Sequence, residues 1–338
     1  MMRKRLLVGF AVVATLATLT LAPHLGAAQD KASKASTPSR TPDGKPNLAG
    51  IYSFSTITPL QRPEALADKA TLSEEEAEAF AASENTRLNR DLFDPIKGQP
   101  SAGYAPRAEG GVLSYNEFWY ERGNQLTKDK RTSLIVDPPT GRIPFTEAAR
   151  RRNAERTQVS NSGFGNSYED RPLPDRCLVG FNSGPPMVPG SYNNNVQILQ
   201  APGHVVIINE MVHNARMIPT DGRPHTTLRQ WSGDSRGRWE GDTLVVETTN
   251  FRRETSLLGS TANTRLVERF TRIDAGTIKY EFTVSDPASY TQPWSAMVPL
   301  TRIPGPLFEY ACHEGNYALP NILAGARAQE RRQADASQ

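Results

Sequence analysis

The chain is poor in several things, and each shortage closes off a class of function. Past the first 28 residues no apolar run approaches the roughly 20 residues that a membrane-spanning helix needs, so no stable membrane insertion is expected. There is no phosphate-cradling loop. Gly163-Phe164-Gly165-Asn166 lacks both a third glycine and a preceding strand, and nothing resembles a dinucleotide or haem-attachment motif. Net charge is missing as well. The formal +3 comes from Arg3, Lys4 and Arg5; without those three, the 39 basic residues fall to 36 and match the 36 acidic ones. A neutral chain lacks the basic footprint that nucleic acid or an anionic membrane surface selects, so neither is expected as a partner. Histidine and cysteine are scarce, at five and two residues.

What is present begins with an address. Arg3-Lys4-Arg5, an apolar run to about residue 22 and the small residues Gly26-Ala27-Ala28 give the layout of a secretory signal peptide over 1–28. The expected location is periplasmic or secreted. Residues 29–48 are polar and rich in Pro, Ser and Lys, and read as a disordered linker. The rest, 49–332, reads as a single β-rich domain with a helical segment at its N-terminal side, followed by a disordered tail at 333–338.

Ser73 with Glu76 three residues on is a capping-box signature, and Leu72, Ala77, Phe80 and Leu88 supply a partial apolar stripe behind it. A second short helix is expected over 146–156 with Thr146 as its cap, and a third over 319–331. The stretch 157–195, rich in Ser, Gly, Asn and Pro, is long enough to be a functional loop. From Val196 onward the period changes to two. Strands are expected over 196–200, 204–213, 242–250, 264–273, 277–285, 289–302 and 307–312, with 112–120 and 132–137 joining them. Ile278, Tyr280, Phe282 and Val284 fall on one face and Lys279, Glu281 and Thr283 on the other. Short connections between such strands make antiparallel neighbours. The expected fold is therefore a mainly β antiparallel meander closing into a barrel or a sandwich, a calycin-like barrel being one form, with a few peripheral helices.

The two cysteines, Cys177 and Cys312, fit one disulfide in an oxidising compartment; two unpaired buried thiols are the other reading. If bridged, they bring the Asn-rich loop at 182–195 beside the segment after Cys312. Tyr192, Asn194, His313 and Glu314 would then meet at one barrel mouth.

Several phrases carry a resemblance: TPDGKPNLAG at 41–50, RTSLIVDPPTGRIP at 131–144, DRCL at 175–178, WSGDSRGRWEGDTLVVETTNF at 231–251, ERFTRIDAGTIKYEFTVSDP at 268–287 and FEYACHEGNY at 308–317. Together they resemble an uncharacterised family of secreted proteins from soil and aquatic bacteria. The resemblance covers nearly the whole mature chain. It implies a shared fold and an extracytoplasmic location, and brings no catalytic residues with it.

The candidate chemistry gathers in 204–225. Counted along a straight strand, Glu210 shares the apolar face of Val206 and Ile208, whereas His213 shares its face with Asn209 and Met211. A carboxylate on an apolar face needs a cationic partner or takes a raised pKa, and Arg216 is the nearest candidate. Glu210 and Arg216 are thus expected either as a polar cluster inside a barrel or as a structural ion pair. His213 and His225 bracket a turn containing Asp221, an arrangement open to acid–base use or to simple hydrogen bonding. Glu210, His213, Asp221 and His225 have metal-ligating atoms, but their spacing matches no compact motif, so a bound metal is a minority reading and no cofactor is expected. Arg238 and Trp239 (or Trp231) could engage a sugar or an aromatic ring, or form a salt-bridged hairpin. Ser235 fits the bare G-x-S-x-G pattern without the α/β context of a nucleophile elbow.

Two functions follow. One is an exported, cofactor-independent lyase, hydrolase or isomerase acting on a carbohydrate or a small aromatic compound. It would use His213 or His313 as acid or base, a tyrosine such as Tyr192 as proton partner, and Arg216 or Asn194 against developing charge. The other is a non-catalytic ligand-binding barrel in which the same residues line a cavity. Both expect a small-molecule or glycan partner, and neither fixes an oligomeric state.

Overall fold

A computed structural model describes residues 39–89, 91, 117–161, 165–255 and 257–337. The expected signal peptide, the linker up to residue 38 and residues 112–116 of one expected strand lie outside them. Ten strands form one antiparallel sheet: β1 (Gly50–Ser53), β2 (Ile135–Asp137), β3 (Asn195–Ala201), β4 (His204–Asn209), β5 (Ala215–Pro219), β6 (Asp234–Glu240), β7 (Thr243–Thr249), β8 (Arg265–Arg272), β9 (Thr277–Ser285) and β10 (Trp294–Arg302). Their order is β5-β4-β3-β1-β10-β9-β8-β7-β6, with β2 paired on β10 off that path. Two meanders, β3 to β5 and β6 to β10, are stitched together by the four residues of β1, and the nine-stranded path curls until its ends approach, so that the barrel is nearly closed.

Alternation fills the inside. Ile278, Tyr280, Phe282 and Val284 of β9 are buried, and so are Trp294, Ala296, Val298 and Leu300 of β10 and Leu266 and Phe270 of β8. The interior is packed with side chains: Phe270 stacks on Tyr280 with centroids 4.8 Å apart, and Phe282 meets Trp294 edge to face at 5.8 Å. Burying each such ring is worth about 1.5–3 kcal/mol, which is what drives the meanders together. At the seam, Gly237 of β6 faces β5. A Cβ there would come within 2.8 Å of Thr220 and 3.0 Å of Ile218, so glycine is what lets the ends approach.

Three α-helices lie on the sheet's periphery: α1 (Glu74–Leu88), α2 (Glu147–Asn161) and α3 (Ala318–Ala336). The capping box at α1 is present as expected. Ser73 Oγ accepts from the Glu76 amide at 3.2 Å, and the Glu76 carboxylate accepts from the Ser73 amide at 2.9 Å. Ser73→Ala is expected to cost about 1 kcal/mol, read as faster hydrogen exchange in the first turn of α1. Thr146 caps α2 through the Ala149 amide.

Several expectations need correction. The described part of the linker, 39–48, carries a bridge between Arg40 and Pro46, and Leu48 enters the core. Of the strand expected over 112–120, the described residues carry a 3-10 turn at Glu117–Trp119, with Phe118 and Trp119 exposed. Residues 307–312 form no strand, because β1 already occupies the free edge of β10. The tail expected from 333 is helical to Ala336. Among the described residues, no helix is long and apolar enough to cross a membrane.

Candidate functional site

Three places bring polar residues together. The first is the heart of the barrel. Arg216 of β5 donates through both terminal nitrogens to Glu268 of β8, at 2.6 and 3.0 Å, and Tyr280 of β9 donates its hydroxyl to the same carboxylate at 2.7 Å. The Tyr280 oxygen in turn accepts from the backbone of Met187, at the tip of the long loop after Cys177. All of these side chains are buried. Burial opposes the charge on Arg216, yet Glu268 holds the guanidinium above its ordinary value. Burial, and then Glu268, push the Tyr280 hydroxyl well above the usual phenol range. On the β4–β5 side the cluster is under-bonded: Arg216 Nε and both amide atoms of Asn209 are buried and meet no partner among the described residues.

This is the ionic cluster expected for Arg216, but with a different acid. Period-two counting fails across the hairpin. The chain leaves β4 at Asn209, turns through Met211–His213 with Val212 and His213 at positive φ, and returns as β5 in register Ile207↔Arg216. Arg216 therefore points inward while Glu210 lies beyond the strand end. There Glu210 accepts from the Asn195 side chain at 2.8 Å and from the Phe308 amide at 2.9 Å.

The second place is the loop 177–195, which covers one end of the barrel. Cys177 and Cys312 are bridged, and Met211, Val212, Tyr192 and Tyr310 pack around them. Asn194 is fully buried as an organiser of this loop. Its carbonyl oxygen accepts from the Gly190 amide and the Asn182 side chain, while its nitrogen donates to the carbonyls of Gly190 and Glu121. Tyr192 lies edge-on to Phe181 at 5.3 Å. His313 and Glu314 are exposed beyond the disulfide, and His213 is exposed on its turn. The bridge brings the two segments together, but Asn194 is spent on contacts to Asn182, Gly190 and Glu121.

Residues 234–242 form the salt-bridged hairpin. Arg238 pairs with Glu240, which also takes Arg269 at 3.0 Å; Trp239 packs on the core; Ser235 shares a hydrogen bond with Thr248 at 2.8 Å. Trp231 is covered by Arg252, 4.3 Å above its ring. His225 sits 3.3 Å from Asp234. Among the described residues, no group of three or more His, Cys, Asp or Glu stands close enough to hold a metal ion.

The third place is open. A cleft of about 290 Å³ lies between the segment after β1 (Thr56 to Leu60), the end of α1 (Glu84, Arg87, Leu88), Arg122 and the loop residues Val188 to Ser191. Its apolar wall comes from Ile57, Pro59, Leu60, Leu88, Leu134, Val188 and Pro189. Its polar groups are Thr56, Thr58, Ser191 and the paired charges of Glu84, Arg87 and Arg122. Arg87 forks onto Glu84 at 2.9 and 2.6 Å, and this carboxylate holds the guanidinium above its ordinary value. Arg122 reaches Glu117 at 2.6 Å and lies 4.3 Å over the Tyr120 ring. None of the sequence-predicted site residues lines this cleft. The functional candidates missed in the sequence are Arg87, Glu121, Glu268 and Tyr280. Of these, only Glu268 and Tyr280 left a signal, as polar residues on the inward face of regular strands. A scan against protein-family models and a search of curated proteins found no match for the chain.

Proposed function

We propose that the chain is an exported binding protein whose α1 cleft takes a small neutral ligand with one apolar face and several hydroxyl groups, of the sugar or phenol kind. The observation that carries this reading is the balance of the cleft. Two guanidiniums, each already paired with a carboxylate (Arg87 with Glu84 inside the cleft, Arg122 with Glu117 outside its lining), stand beside the hydroxyls of Thr56, Thr58 and Ser191 in a cleft whose other lining residues are mainly apolar. Such a mixture suits hydroxyl groups, each of which both donates and accepts, better than a free carboxylate or an ammonium. The disulfide and the N-terminal leader support export. Acid–base catalysis draws less support: His213 and His313 are exposed, Glu210 is enclosed, and the Arg216 cluster is sealed inside the barrel.

The test is calorimetric titration of the protein with a panel of neutral saccharides and phenols, with product analysis of each mixture. Binding without turnover is expected. Arg122→Ala should weaken it about tenfold, near 1.4 kcal/mol, and Leu88→Trp should abolish it by filling the cleft. A ligand whose affinity neither variant changes would place its site elsewhere. Turnover lost in His213→Ala or His313→Ala would restore the enzyme reading.

A further inference from the structure

Beside the cleft, two carboxylates meet on one amide. Asn195 Nδ2 donates to Glu121 Oε1 at 2.9 Å and to Glu210 Oε2 at 2.8 Å, so those oxygens are at most 5.7 Å apart. Glu210 is 3% exposed, and its other oxygen accepts from the Phe308 amide. Neither acid has a cationic partner among the described residues. On the segment of Glu121, Arg122 is turned to Glu117. On the turn that holds Glu210, His213 is exposed. On the segment carrying Phe308, Glu309 is exposed and Tyr310 packs against the disulfide cluster. From the covering loop, Tyr192 packs on that same cluster.

We infer that Glu121 holds a proton against the neighbouring Glu210, and that this proton fastens the wall of the cleft to the barrel end. Two acids this close, one of them buried and without a cation, cannot both be charged cheaply. Burial first, and then the neighbouring Glu210, raise the Glu121 carboxyl above its ordinary value. Glu121 is also a joint in the chain. Its amide donates to the Ser191 carbonyl at 3.0 Å, its carbonyl accepts from Asn194 at 2.7 Å, and the next residue, Arg122, lines the cleft together with Ser191. With one proton present, the pair carries a single negative charge, which the Asn195 amide and the Phe308 amide can satisfy. When that proton leaves, Glu121, the less enclosed of the two, is pushed toward water and the 117–122 segment loosens. The sign follows. The folded state holds a proton that the unfolded chain has given up, so its stability falls as pH rises from the ordinary glutamate range through the raised value. The proton control of ligand binding rests on the cleft reading above; the proton on Glu121 does not.

Carboxyl-labelled glutamate followed by NMR tests the pair without any ligand. A Glu121 titration above the ordinary value of about 4.3 is expected, and it should move down toward that value in Glu210→Gln. Independent titration of every glutamate in the ordinary range would overturn the inference. Hydrogen exchange tests the fastening. Relative to Glu121→Gln, whose neutral amide mimics the protonated state, the 117–122 amides of the wild type should exchange several-fold faster once Glu121 ionises. Equal rates in the two proteins would leave the wall independent of the proton and sink that half of the inference. Where a cleft ligand has been found, its affinity should fall with rising pH in the wild type and stay level in Glu121→Gln. Failure to find any ligand would count against the binding reading alone, since the NMR and exchange results stand without it.

Discussion

Arg216→Ala should destabilise the protein by about 3–5 kcal/mol, a large share of the roughly 5–15 kcal/mol that holds an ordinary domain together. The loss comes less from the missing attraction than from what stays behind. Glu268 is completely buried, and without the guanidinium its charge would be met only by the Tyr280 hydroxyl. The variant should therefore take up a proton on Glu268. Its deficit should be largest near neutral pH and shrink toward acid, since a carboxyl with a raised pKa in the folded state contributes stability that is lost as pH rises. Urea denaturation of the two proteins across that range checks both statements. Replacing the cluster as a unit (Arg216→Met, Glu268→Leu and Tyr280→Phe together) should cost far less than the single change, because no buried charge or donor is stranded. A single change as mild as the triple one would mean that water reaches Glu268.

Removing the disulfide should have the next largest effect. Cys177 and Cys312 are 135 positions apart, and in the chain-entropy account closing a loop of that size stabilises the folded state by about 5 kcal/mol. Cys177→Ser with Cys312→Ser should lower the urea midpoint accordingly, and reductant should do the same to the wild type while leaving the double variant unchanged. The local consequence is as specific. The bridge ties the chain after β10 to the loop that reaches the barrel centre through Met187, and Tyr192, Met211 and Val212 pack around it. A loss below about 1 kcal/mol would show that the reduced chain already holds these segments together.

The sequence made some of this readable for physical reasons that can be named. In β9, four apolar residues alternate with polar ones, and the structure buries the first set and leaves the second half-exposed. Nothing but period two was needed there. The α1 cap was equally local, since Ser73 and Glu76 sit three residues apart and satisfy each other. The disulfide was one of two readings of a cysteine pair in a chain whose first residues have the layout of an export leader. What could not be read depends on strand order. The pairing of Arg216 with Glu268 requires knowing that β5 and β8 face each other across a curled sheet, and that order is fixed by β1, a four-residue strand too short to show a period. Glu268 was in principle visible, since it alternates with Leu266 and Phe270 on the buried face of β8. The reasoning that singled out Glu210 applies to it with more force, because no turn interrupts the count. The cleft was the least legible feature. Arg87 comes from a helix end, Arg122 from an irregular segment and Val188 from a loop, and no local pattern links three segments that meet only after folding.

The unpaired ends of the sheet set a hazard of their own. Between β5 and β6 no backbone ladder forms among the described residues, and the gap is spanned by side chains, with Gly237 against Ile218 and Thr220 and with Arg216 reaching past two strands to Glu268. Two rows of main-chain amides and carbonyls thus stand next to each other without bonding to each other. Any condition that pries them apart offers a ready template to an extended chain from a neighbouring molecule. Fibrous or swapped assemblies formed under stress should accordingly begin at this gap.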